Sequence, residues 1–97
     1  MNINVFGNYK VAFTNRFDYI SDYDYDRESY VYTKDKATWK KKMQGGELID
    51  MVAKLMLNQE TINVESSENK ITIETFRPDN GTGGDIVIKY EEVKKNG

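Results

Sequence analysis

The chain has 97 residues, of which 38% are hydrophobic and 31% charged, with a formal net charge of −2. These values predict one domain over 1–97 with a core of its own, and they argue against a disordered chain. With no cysteine and no histidine, the chain has no disulfides or thiolate metal centres, and it cannot supply a Ser-His-Asp or Cys-His catalytic arrangement by itself.

The first ten residues, MNINVFGNYK, lack the basic start and apolar run of a signal peptide. No apolar run approaches the ~20 residues that span a bilayer. The expectation is a soluble, cytoplasmic protein with no membrane partner. Residues 2–6 and 9–14 read as two short strands joined by a turn at Gly7-Asn8. In the run FDYISDYDYDRE, aspartate and tyrosine alternate from Asp22 to Asp26. An extended chain would set Asp22, Asp24 and Asp26 on one face and Tyr23 and Tyr25 on the other, although aspartate is depleted in strands and a loop fits equally well. Residues 28–33 read as a strand with Tyr30 and Tyr32 on one face.

Asp35 is a fitting N-cap for a helix over about 36–44, which Gly45-Gly46 would then interrupt. A helix over 47–57 has the clearest periodicity in the chain. Leu48, Ile49, Met51, Val52, Leu55 and Met56 fill an arc of about 160°, opposite Glu47, Asp50 and Lys54. Three strands follow, at 61–65, 70–76 and 85–91. Each alternates apolar and polar residues as in an antiparallel sheet with one wet face. The glycine-rich stretch 77–84 lacks the ending of a phosphate loop and reads as a long hairpin loop. The tail 94–97 reads as frayed. The predicted fold class is therefore α+β: an antiparallel sheet of five to six strands, order β-β-(β)-α-β-β-β, with one kinked helix or two short helices packed on one face.

Two segments are candidate sites. Residues 17–28 hold five acids and one arginine. Tyrosine offers large, stiff contact area with a polar tip and is enriched at binding surfaces. Asp22, Tyr23, Asp24, Tyr25 and Asp26, with Tyr19 and Tyr30 as aromatic anchors, form the candidate partner-binding surface. Its acids could imitate a row of phosphates, or they could simply guard a sheet edge against aggregation. Asp22, Asp24 and Asp26 also match the first three ligand positions of a calcium loop. Arg27 and Thr33 stand where that loop needs glycine and glutamate, so no metal is expected. Residues 34–42 hold five lysines and one aspartate around Trp39. On a helix, Lys36, Trp39, Lys40, Lys41 and Lys42 would form an alternative nucleic-acid-binding surface, with Trp39 stacking on a base; otherwise Trp39 belongs to the core and the lysine stems cover its rim. The acidic and basic segments could pair within the fold or between the copies of a homodimer. No catalytic residue and no cofactor is expected.

In size, acidity, lack of cysteine and compact α+β character, the chain resembles small phage or mobile-element inhibitors, anti-CRISPR proteins among them, and small bacterial immunity proteins. The resemblance implies a non-catalytic inhibitor or adaptor that contacts another protein, for instance a nucleic-acid-binding enzyme. A nucleic-acid-binding module and a structural subunit of an assembly are the alternatives.

Overall fold

A computed structural model describes residues 2–79 and 81–94. Five strands, β1 (Asn8–Asp24), β2 (Ser29–Gln44), β3 (Thr61–Ser67), β4 (Lys70–Arg77) and β5 (Thr82–Glu92), form one sheet in the order β2-β1-β5-β4-β3. Every neighbouring pair is antiparallel. One helix, α1 (Gly45–Met56), covers one face of the sheet and leaves the other face open.

This corrects the expected fold class. A helix of 12 residues stands against strands of 17, 16, 7, 8 and 11 residues, so the described residues are mainly β with a single helix in place of the expected kinked or paired ones. The predicted helix over 36–44 is the second half of β2. There, Trp39 lies opposite Phe13 with the rings stacked at 4.8 Å. That stack and a full ladder of β1 pairing outweigh the good helix propensity of lysine, which is a weak prior. The predicted strand over 2–6 and its turn at Gly7-Asn8 are also absent. Residues 2–7 form an irregular segment, and β1 runs unbroken from Asn8 through the aspartate–tyrosine stretch. The predicted long loop over 77–84 is shorter than expected, because β4 extends to Arg77 and β5 begins at Thr82. Of the predicted tail, residues 95–97 lie outside the described residues.

The irregular N-terminal segment has a structural job. Gln44 provides no side-chain cap for α1. Instead the carbonyls of Gly7 and Val5 accept hydrogen bonds from the N–H groups of Gly45 and Gly46, at 2.8 and 3.0 Å. Two of the four orphan donors of a helix start are thereby satisfied by backbone. The approach is so close that a Cβ on Gly45 would collide with the Asn4 carbonyl, which explains the glycine. The segment is fixed in turn by the Asn4 N–H, which donates to the Tyr9 hydroxyl at 2.7 Å.

The core lies between α1 and one face of the sheet. Leu48 and Val52 from the helix meet Tyr9 and Val11 of β1, Ile71 and Ile73 of β4, and Ile86, Ile88 and Tyr90 of β5. In β1, β4 and β5 these side chains recur at every second residue, which is why their polar neighbours all fall on the open face. Phe13, Trp39 and Met43 extend the same layer towards the β2 edge.

The β1–β2 hairpin outruns the rest of the sheet. Pairing of β1 with β5 ends at Phe17 and Gly84, whereas pairing with β2 continues to Asp24 and Ser29. The last seven residues of β1 thus project as a two-stranded arm of about 23 Å. The molecule measures 66 × 21 × 18 Å with a radius of gyration of 16.8 Å, against about 12.5 Å for a compact domain of this length.

Candidate functional site

The arm carries the acidic–aromatic stretch. A β-bulge between Ile20 and Asp22 places Ser21 out of register. The extra residue reverses the inward–outward parity of everything after it. Tyr23 therefore faces Tyr30 across the ladder, on the pleat side that already holds Ile20 and Tyr32. Without the bulge, Tyr23 would share the side of Tyr19. The Ser21 hydroxyl donates to the Val31 carbonyl at 3.2 Å and accepts from the Thr33 hydroxyl at 2.7 Å, which holds the irregularity in place.

The result is a tyrosine cluster at the arm's tip. Tyr23 meets Tyr25 at 4.9 Å and Tyr30 at 5.3 Å, both edge to face. Such pairs contribute about 0.5–1.5 kcal/mol beyond burial, enough to matter in a ribbon that is marginal alone. Tyr23 is half-buried by its neighbours, but Tyr25 and Tyr30 remain 83% and 57% exposed. Tyr19 sits nearer the root of the arm, beside Phe17. The Tyr32 hydroxyl lies near Gly81 in the β4–β5 turn.

The aspartates do not form one row. Asp22 and Asp24 share the pleat side opposite Tyr23, and Asp26 lies in the turn. The Asp24 carboxylate accepts the N–H groups of Asp26 and Arg27 at 3.0 and 3.2 Å, closing the turn as an Asx motif. Asp22 accepts from the Tyr23 N–H at 2.7 Å. None of the three forms an ion pair with a lysine among the described residues; the acidic and basic segments meet only at the root of the arm, where Asp18 stands opposite Lys34 in the ladder. Nor do any three acidic side chains among the described residues converge as a metal site would require.

The basic stretch becomes a strand, and its side chains divide by parity. Lys36, Lys40 and Lys42 lie on the open face of the sheet, whereas Trp39 and Lys41 lie on the helix side. Lys34 of the same segment joins them, and sequence reasoning missed three more lysines on the open face: Lys10, Lys70 and Lys89. Register assembles rows across the sheet. Lys42 is opposite Lys10, and Lys10 opposite Glu91; Lys40 is opposite Ala12, Ala12 opposite Lys89, and Lys89 opposite Lys70. A shallow groove of about 700 Å³ runs here, with the short Ala12 side chain as its floor and Lys10, Lys40, Lys42, Lys89 and Glu91 around it. Four residues beyond Ala12 on β1, Arg16 is held by both carboxylate oxygens of Asp85, at 2.6 and 2.8 Å, which raises the guanidinium's pKa further above its already high value.

No family model matches the chain, and neither a curated protein nor a solved structure is significantly similar to it. Among the described residues, no helix is long and apolar enough to cross a membrane.

Proposed function

We propose that this is a non-catalytic binding protein, an inhibitor or adaptor, whose projecting arm docks on another protein through Tyr25 and Tyr30. The observation that carries this reading is the exposed tyrosine cluster at the end of a ribbon that leaves the sheet. Large aromatic side chains left open to water are an energetic liability unless something covers them. Tyrosine is also, with tryptophan and arginine, enriched in binding hot spots, and it loses little conformational freedom on docking. The acids flanking the cluster suit a rim that selects partners by charge. Since Asp24 is engaged in closing the turn, contact through the tyrosines is favoured over imitation of a phosphate row.

The test uses the full chain immobilised as bait in an extract of its own host cells, beside a Tyr25→Ala/Tyr30→Ala variant whose fold is checked by circular dichroism. A partner retained by the wild type is then purified and titrated against both. Loss of one hot spot of about 2 kcal/mol corresponds to a roughly 30-fold weaker Kd. A partner that binds both forms equally, or the absence of any protein specific to the wild type, would refute the assignment.

A further inference from the structure

We infer that the open face of the sheet is a second binding surface, one that takes the phosphate backbone of a nucleic acid in the groove over Ala12, through Lys10, Lys40, Lys42 and Lys89. This inference is independent of the arm, because it rests on different residues and on charge rather than on aromatic contact.

Charge is segregated in this molecule well beyond what the net value of −2 suggests. None of these four lysines, nor Lys70, forms an ion pair among the described residues, although Glu91 stands within the same groove. Two like-charge pairs even sit directly opposite each other, Lys10 with Lys42 and Lys89 with Lys70. Such juxtapositions destabilise an antiparallel ladder. A bound polyanion would relieve that repulsion.

The simplest competing explanation is that lysines on β2 blunt an edge strand against aggregation. It accounts for Lys34, Lys36, Lys40 and Lys42, since β2 is an outer strand. It does not account for Lys10 and Lys89, which lie on the interior strands β1 and β5, where no edge needs protection.

The occupant follows from what else lines the face. Lysine is depleted from protein–protein interfaces, whose centres need aromatic or aliphatic anchors. Besides Glu91, the residues of this face nearest the four lysines are Ala12, Thr14, Thr38, Thr72 and Val87, none of them a large apolar anchor. A membrane surface would likewise require apolar groups to insert beside the cations. Phosphates need neither. With no arginine in the groove, and its one aromatic, Tyr90, only 4% exposed, contact is dominated by phosphates, so binding should depend little on sequence. The acids of the turn, Asp26 and Glu28, end the footprint at the arm's tip by repelling the backbone.

The experiment is fluorescence anisotropy with labelled mixed-sequence DNA of about 20 residues, both duplex and single-stranded, across about 50–200 mM salt. Four phosphate contacts predict a slope of log K against log salt near −3.6 for duplex, a roughly 150-fold loss of affinity over that range. Each single change, Lys10→Gln, Lys40→Gln, Lys42→Gln or Lys89→Gln, should flatten the slope by about 0.9. Lys54→Gln on α1 should leave it unchanged, and so should Tyr25→Ala/Tyr30→Ala, which separates this surface from the arm. Melting curves verify that each variant is folded. No binding at the lowest salt, or slopes indifferent to the four changes, would overturn the inference. Competition by poly-glutamate as effective as that by DNA would overturn it in favour of an acidic protein.

Discussion

Replacing Lys70 by glutamate should make the protein more stable while weakening its hold on a polyanion. Lys70 lies directly opposite Lys89 on the open face, and the residues on their other sides are Ser67 and Ala12, so no acid stands directly across from either. Two unit charges about 6 Å apart in water interact by about 0.7 kcal/mol. Lys70→Glu removes that repulsion and substitutes an attraction of similar size, from which side-chain freedom subtracts. Measured cross-strand charge pairs span about 0.2–1 kcal/mol, and a gain of about 0.5–1 kcal/mol is expected. For a domain of this size that raises Tm by about 2–8 °C. Thermal unfolding followed by circular dichroism at low salt reads the shift directly. Repeating it near 1 M salt, where the Debye length is about 3 Å, should erase most of the gain. The same variant should bind DNA more weakly than wild type. A neutral or lowered Tm at low salt, or a gain indifferent to salt, would show that these lysines do not repel each other and would remove the main argument for an anionic occupant.

Gly45→Ala should destabilise the fold by about 1–3 kcal/mol, the usual range for overpacking, because the new methyl group meets the backbone of Asn4. Denaturant titration measures the loss, and faster amide exchange at Gly45 and Gly46 should accompany it as their bonds to Gly7 and Val5 loosen; unchanged stability would contradict this account of the helix start. Tyr90, 4% exposed, has its pKa pushed above the ordinary value, first by burial and then by the neighbouring Tyr9. The unfolded chain therefore ionises at this position first, near pH 10, and the stability that Tyr90 contributes is complete below that pH and lost as pH rises through the folded value. Stability curves of wild type and Tyr90→Phe should diverge only above about pH 10, with the variant flatter, and parallel curves would refute the assignment.

Periodicity revealed the elements that bury a continuous stripe. Leu48 and Val52 sit four residues apart and are both fully buried, and the alternation of Ile71 with Ile73, and of Ile86 with Ile88 and Tyr90, marks the strands that meet them. Where periodicity failed, two templates fitted equally well. Trp39 and Met43 are four residues apart, which suits one face of a helix and one face of a strand alike. The parity of Lys34, Lys36, Lys40 and Lys42 against Trp39 and Met43 was the available signal for a strand, and it acquires meaning only once Phe13 lies opposite Trp39. Tertiary pairing overrode local propensity there. The candidate site was less legible still. Nothing local announces the bulge at Ser21, yet it turns Tyr23 towards Tyr30 and keeps the aspartates from forming one row. Lys10 and Lys89 are 79 positions apart in the chain, and only the antiparallel register of β1 with β5 brings them to one groove.

The arm is the feature on which the functional reading stands, and amide hydrogen exchange on the protein alone and in complex with its captured partner examines it most directly. Protection on binding should concentrate in residues 22–31, with α1 and β3 exchanging as they do in the free protein. Protection confined to α1 or β3, with the tip of the arm exchanging as before, would contradict docking through the tyrosines.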